Sequence, residues 1–188
     1  MKHLILLAVC TILILSCENN KDIHDTDLSK RPEIPINDSL DFNSDQIFDF
    51  VISYKEIATD DEPSSGGSII GSISPLNQNL LLYRSNVGHL FLNINDTIRK
   101  VLNTNSVWNG NSADLISIKR DYQNWDRTWT VITENTDYYF LAYKIVLNDS
   151  GTIGWMCLEF DTTNGKISLT DGDITDNDEL IIHKKKID

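Results

Sequence analysis

Cysteine is scarce in this chain, and the three cysteines are placed so that they exclude a disulfide-stabilised domain. Cys10 and Cys17 stand within or directly after an N-terminal apolar run, so Cys157 is the single cysteine in the rest of the chain. Small exported domains that depend on disulfides carry several cysteines. Cys157 lies in the apolar run 153–160, which predicts a small buried side chain rather than a nucleophile.

The sequence also lacks the short motifs of several enzyme classes. His89 and His183, the two histidines outside the N-terminal region, form no His-Glu-x-x-His zinc motif. No Gly-x-Ser-x-Gly string occurs. With 28 acidic residues, spacing selects no pair of carboxylates for glycoside hydrolysis. The sequence therefore favours a non-enzymatic domain, and the alternative is a hydrolase whose carboxylates converge only in the fold.

Positive charge is in short supply as well. The chain has 16 lysines and arginines against 28 acidic residues, which gives a formal net charge of -12. Such a balance argues against nucleic acid and against direct adhesion to anionic lipid as partners. It is typical of a soluble acidic surface.

The first 17 residues contain an export signal. Lys2 and His3 precede an apolar run over residues 4–15, which is shorter than the roughly 20 apolar residues of a membrane-spanning helix. The run ends in Ile14-Leu15-Ser16-Cys17, which resembles the lipobox of bacterial lipoproteins. The resemblance implies that residues 1–16 are removed and that Cys17 receives a diacylglycerol group and an N-acyl chain. It also implies a membrane anchor at the periplasmic face or cell surface of a bacterium. An ordinary signal peptide cut near Ser16 is the alternative.

Composition divides the rest of the chain into a tether and one domain. Residues 17–40 are polar, contain Pro32 and Pro35 and show no sustained apolar period, which predicts a flexible tether after the lipidated cysteine. Residues 41–188 are enough for a single domain with its own core.

Strand signals fill this domain. Phe48, Phe50, Ile52 and Tyr54 alternate with less apolar residues, and short apolar runs separated by turn residues follow to the end of the chain. Asn164-Gly165, between two such runs, predicts a hairpin. We expect an all-β fold of about eight to ten short strands. The pattern does not choose between an antiparallel β-sandwich and an open β-barrel.

Residues 41–49 carry oxygen-bearing side chains at positions one, three, five and nine, which are Asp41, Asn43, Asp45 and Asp49. Alternate residues of a tightly turning loop point inward, so these side chains can converge on one hard cation. The stretch resembles the calcium loops of integrin-type FG-GAP repeats, which implies a bound calcium and the carbonyl of Ile47 as a further ligand. Those loops usually have glycine where this chain has Gln46, because a positive φ is required there. An Asp/Asn-rich turn that leads into a strand is the alternative interpretation.

Aromatic residues offer a second candidate site. Trp108 and Trp125 lie beside Asn and Asp in turn-like segments, whereas Trp129 and Trp155 lie in apolar runs and are predicted to be core. Exposed tryptophan rings stack on sugars, so Trp108 and Trp125 are candidates for glycan binding, with a core position as the alternative.

These patterns together predict a lipid-anchored β-domain that serves as a non-enzymatic binding or interaction module, with one structural calcium. A carbohydrate-binding surface lipoprotein is the alternative within the same class. The partner beyond the membrane, whether a protein or a glycan, is not specified by the sequence.

Overall fold

The computed structural model describes most of the chain after the first 30 residues. The described residues are 31–58, 66–84, 88–89, 91–102, 105–121, 124–132, 139–147 and 150–183. They contain fifteen β-strands and no α-helix. The strands are β1 (Asp38–Leu40), β2 (Phe50–Ala58), β3 (Gly67–Pro75), β4 (Leu80–Arg84), β5 (Gly88–His89), β6 (Phe91–Leu92), β7 (Thr97–Arg99), β8 (Ser106–Asn109), β9 (Ala113–Asp121), β10 (Asn124–Trp125), β11 (Thr130–Val131), β12 (Tyr139–Leu147), β13 (Ser150–Asp161), β14 (Lys166–Thr175) and β15 (Glu179–Ile181).

The strands form three antiparallel sheets. Sheet A has the order β1-β2-β3-β9-β10, with β11 also paired to β9. Sheet B has the order β14-β13-β12-β4-β5, with β6 paired to β12 and β8 to β4, and sheet C consists of β15 and β7. The predicted all-β class is confirmed. The strand count exceeds the eight to ten expected because many strands have only two or three residues, which is too short for a visible alternation in the sequence.

The main core lies between sheets A and B. Phe50 and Ile52 of β2 are buried in it, as the alternation in this strand predicts, and the ring of Phe50 lies 5.4 Å from that of Tyr143 in β12. Phe48 is exposed, so the buried alternation begins at Phe50. Each large apolar side chain buried in this way stabilises the fold by about 1.5 to 3 kcal/mol.

Sheet B is covered on its other face as well. Phe140 and Trp155 point away from sheet A, with their rings 5.5 Å apart, and they share a second core cluster with Ile98 and Ile182 from the region of sheet C. Cys157 is buried in the same cluster, as predicted. A strand buried on both faces needs apolar residues at successive positions. This explains why the sequence of β12 and β13 is a nearly continuous apolar run.

Residues 31–37 pack along the edge of β2, and we call them the strap. Arg31 forms an exposed ion pair of 2.7 Å with Glu56, and Asn37 Oδ1 accepts a hydrogen bond of 3.2 Å from Tyr54 N. Ile34 packs against the main core.

The strap and β1 fall within residues 17–40, where the sequence predicts a tether. All the side chains of both core clusters come from residues 34–182, so a chain that begins at Glu18 contains the whole described core.

Candidate functional site

Loop 41–49 connects β1 to β2 at one edge of sheet A. Asp49 N donates a hydrogen bond of 2.7 Å to Leu40 O, and Phe42 N donates one of 2.8 Å to Asp49 Oδ2. These two bonds close the loop at its base. The ring of Phe42 packs 4.5 Å from that of Tyr143, which fixes the loop to the main core.

Within the loop, three of the predicted ligand side chains fold inward onto backbone amides. Asp41 Oδ2 accepts from Gln46 N at 2.9 Å. Asn43 Oδ1 accepts from Asp45 N at 3.0 Å, and Asp45 Oδ1 accepts from Ile47 N at 2.8 Å. Ser44 and Gln46 have positive φ angles of 58° and 70°. Gln46 therefore takes the left-handed conformation for which the resembled calcium loops use glycine.

The second carboxylate oxygens of Asp41 and Asp45 differ in whether they have a hydrogen-bond partner. Asp41 Oδ1 is buried and has no hydrogen-bond partner among the described residues. Asp45 Oδ2 accepts a hydrogen bond of 2.9 Å from Asn43 Nδ2. No group of three or more His, Cys, Asp or Glu side chains in the described part of the chain is placed to hold a metal ion. The side chain of Ile47, whose carbonyl was the predicted fifth ligand, is exposed.

Asp49 faces the protein interior. Its side chain is only 3% exposed, and Asn79 Nδ2 donates to its Oδ1 at 2.9 Å. Burial raises the pKa of Asp49, the hydrogen bonds from Phe42 N and Asn79 lower it, and the nearby carboxylates of Asp45 and Asp41 raise it. The loop thus concentrates three carboxylates whose mutual repulsion a cation would relieve.

Asn79 is a site residue that sequence reasoning missed. Besides its bond to Asp49 Oδ1, its Oδ1 accepts a hydrogen bond of 3.1 Å from Val146 N. The buried amide thereby joins the start of β2 in sheet A to β12 in sheet B. Asn79 lies 30 residues after Asp49. No local pattern in the sequence connects the two positions.

A cavity of about 870 Å³ lies at another part of the domain. One wall is formed by residues 32–36 of the strap, the floor by Ile118, Trp125 and Trp129, and the remaining wall by the turn between β13 and β14. Pockets of about 300 to 1,000 Å³ are the usual size for small-molecule sites. The cavity is therefore large enough for a ligand.

Two tryptophans are held firmly beneath this cavity. Trp125 is 7% exposed, and the guanidinium of Arg120 lies 5.6 Å from the centre of its ring. Trp129 is 3% exposed, and its backbone N donates a hydrogen bond of 2.8 Å to Thr162 O in the turn before β14. Its indole lies against Gly165. Both side chains therefore belong to the main core and also line the cavity.

Trp108, the other predicted stacking residue, lies elsewhere. It belongs to β8 of sheet B, packs against the second core cluster, and donates a hydrogen bond of 3.2 Å from Nε1 to Lys100 O. Trp125 belongs to β10 of sheet A. The structure therefore does not bring the two candidates into one site, and it pairs Trp125 with Trp129, which the sequence predicted as core.

The predicted lipidation residue Cys17 and residues 1–16 lie outside the described residues. In the part that is described, no helix is long and apolar enough to cross a membrane.

Comparison of the chain with protein-family models, with curated proteins and with solved structures finds no match.

Proposed function

We propose that this chain is a non-enzymatic binding domain, attached by lipid on Cys17 to a membrane at the periplasmic face or cell surface of a bacterium. The observation that carries the proposal is the cavity above Trp125 and Trp129. One of its walls is the strap, which lies within the segment 17–40 that the sequence predicts as a tether. The ligand site would therefore lie close to the point where the tether meets the domain.

We further propose that loop 41–49 binds one structural calcium ion. The left-handed conformation of Gln46 supports this proposal, because it gives the loop the tight turn that the one-three-five spacing needs. An ion held by Asp41, Asn43, Asp45, the carbonyl of Ile47 and Asp49 would supply the partner that Asp41 Oδ1 lacks among the described residues. It would also neutralise carboxylates that repel one another.

Calcium should raise the stability of the chain from Glu18 to Asp188 after treatment with a chelator. At a hundred times its dissociation constant, an ion that binds only the folded state adds about 2.7 kcal/mol. For a domain of this size, that gain corresponds to an increase in melting temperature of roughly 5 to 10 °C. Thermal unfolding monitored by circular dichroism, together with calorimetric titration, measures both the shift and the affinity.

The matched variants for this test are Asp45→Ala and Asp178→Ala. Asp45 lies in the loop, whereas Asp178 is an exposed aspartate of the acidic segment 171–179, which lacks the one-three-five-nine spacing. We expect Asp45→Ala to abolish the calcium-dependent shift and Asp178→Ala to preserve it. If both variants kept the shift, loop 41–49 would not be the site, and if the parent chain showed none, it would be an ordinary Asp-rich turn.

The anchor is tested by replacing the two N-terminal cysteines separately. Cys17→Ala removes the only thiol that the lipobox pattern places for acylation, so the exported chain should move from the membrane fraction to the soluble fraction. Cys10→Ala changes a cysteine inside the apolar run and should leave the chain in the membrane fraction. Fractionation with metabolic labelling by a radioactive fatty acid gives the result. Fatty-acid label that is still incorporated into Cys17→Ala would exclude Cys17 as the site of the lipid anchor.

A further inference from the structure

The strap is joined to β2 by few polar contacts. It belongs to no strand, and its two prolines have no backbone N–H to donate to a ladder. Among the described residues, two polar contacts link it to β2: the ion pair of Arg31 with Glu56, and the hydrogen bond from Tyr54 N to Asn37 Oδ1. The side chains of the ion pair are 57% and 39% exposed, and exposed pairs contribute little to stability.

The apolar attachment of the strap depends on one side chain. Ile34 is partly buried and packs against the main core. Ile36, two residues later, is 92% exposed. Local opening needs less free energy where a segment buries few apolar side chains. The strap therefore has the weak attachment of a segment that can detach by itself.

The chain is held much more firmly after Asn37. Residues Asp38–Leu40 form β1 and pair in register with β2, and Leu40 also packs against the main core. The buried side chains of the main core all lie between Phe50 and Ile167, so sheets A and B keep this core when the strap leaves. The junction between Asn37 and Asp38 is thus the natural hinge.

The strap also controls how much of the cavity is open. Its residues 32–36 form one wall, and the floor residues Ile118, Trp125 and Trp129 are at most 7% exposed while that wall is in place. The cavity then offers a ligand little apolar surface. Removing the wall would turn the cavity into a groove between the edge of β2 and the turn before β14.

We propose that the strap is a gate that regulates access to the cavity by detaching from β2 while sheets A and B stay packed. The inference rests on the proposed role of this cavity as a binding site. Ile34 is the latch of the gate, and the junction of Asn37 with Asp38 is its hinge. The cavity would accept its ligand in the detached state.

The first test is amide hydrogen exchange, measured by nuclear magnetic resonance on the chain from Glu18 to Asp188 at low urea concentrations. Tyr54 N reports on the strap because its acceptor is Asn37 Oδ1, while its own hydroxyl is fixed by a 3.0 Å hydrogen bond from Ile167 N. Ile69 reports on sheet A because β3 pairs with β2 and with β9. We expect Tyr54 to exchange faster than Ile69 and with little dependence on urea, because detaching the strap exposes little surface.

Two isoleucine variants of the strap provide the matched comparison. Ile34→Ala removes the packed side chain and should raise the exchange rate of Tyr54 about tenfold. Ile36→Ala makes the same chemical change at an exposed position and should leave that rate as in the parent chain. A hydrogen bond lost only through rotation of the Asn37 side chain would respond to neither variant, and that result would refute the gate.

The second test measures access to the cavity floor. A small neutral nitroxide added to the ¹⁵N-labelled chain broadens the indole N–H signals that it can approach, and single Trp→Phe variants assign the four signals. We expect Ile34→Ala to increase the broadening of the Trp125 and Trp129 signals relative to Ile36→Ala. Trp155, which is 1% exposed in the second core cluster, should be unaffected in every variant.

Two further outcomes would overturn the gate. One is exchange of Tyr54 at the same rate and with the same urea dependence as Ile69, because the strap would then leave only when sheet A unfolds. The other is equal broadening of the floor signals in Ile34→Ala and Ile36→Ala. Neither measurement contains a ligand, so both results would leave the proposed binding function intact. A cavity that binds no ligand would refute that function and leave the exchange result standing.

Discussion

Replacing Gly165 with alanine should lower the free energy of unfolding by about 3 kcal/mol, because two separate costs add at this position. Gly165 has a φ of 72°, a left-handed conformation that costs an L-residue about 1 to 2 kcal/mol. A Cβ at this position would also lie 2.1 Å from Cε2 of Trp129. Since Trp129 is held in the core, relieving that overlap should cost about 1 to 3 kcal/mol more.

Gly88→Ala is the matched control because Gly88 shares only the first of these costs. Its φ is 99°, and among the described residues no atom lies within 4 Å of the position that a Cβ would occupy. We expect a loss of about 1 to 2 kcal/mol from the backbone alone. Urea unfolding followed by circular dichroism compares the two variants. Equal losses would mean that the contact with Trp129 does not constrain the turn.

Gly165→Ala should also affect ligand binding, whereas Gly88→Ala should not. The side chain of Trp129 must move to admit the new methyl group, and Trp129 forms part of the cavity floor. A displaced ring would change the shape of that floor. The indole N–H signal of Trp129 in a nuclear magnetic resonance spectrum should therefore shift in Gly165→Ala even before any ligand is added.

The parts of the fold that follow local rules were predictable from the sequence. Asn164-Gly165 predicted the hairpin between β13 and β14, and the left-handed Gly165 confirms its turn. The alternation after residue 48 predicted β2, whose Phe50 and Ile52 are buried. Such signals depend only on neighbouring residues, so one sequence is enough to find them.

The cavity was not predictable because its walls come from distant parts of the chain. The strap, the region around Trp125 and Trp129, and the turn before β14 meet only when sheets A and B pack together. The sequence suggested Trp125 as a binding residue from its polar neighbours, but the same reasoning suggested Trp108, which packs against the other core cluster. Polar neighbours in the sequence therefore do not show whether a tryptophan lines the cavity or packs against the second core cluster.

Loop 41–49 was predictable from the sequence only in part. The spacing of Asp41, Asn43 and Asp45 predicted side chains that turn inward, and each of them does accept a hydrogen bond from a backbone amide of the loop. Position nine differs, because Asp49 also accepts a hydrogen bond from the side-chain amide of Asn79, in the turn between β3 and β4. A contact between residues that are 30 positions apart in the sequence cannot be found from a local pattern.

Replacing Asn79 with alanine should destabilise the domain by about 3 to 4 kcal/mol. The change leaves the buried Oδ1 of Asp49 and the backbone N of Val146 without the hydrogen bonds that Asn79 makes to them. An orphaned buried group costs about 1 to 3 kcal/mol, and a charged one costs more. Asn177→Ala, at an exposed asparagine, is the control and should change stability by less than about 0.5 kcal/mol.

The loss caused by Asn79→Ala should depend on pH in a defined direction. Burial raises the pKa of Asp49, and the hydrogen bond from Asn79 is one of the contacts that lower it, so the pKa rises further when Asn79 is removed. A carboxyl with a higher pKa in the folded than in the unfolded chain makes the fold less stable as pH rises through the folded pKa. Urea unfolding in the presence of a chelator should therefore show a larger loss near pH 7 than near pH 4. A loss independent of pH would mean that the amide acts through Val146 alone, and that the charge of Asp49 is not what Asn79 stabilises.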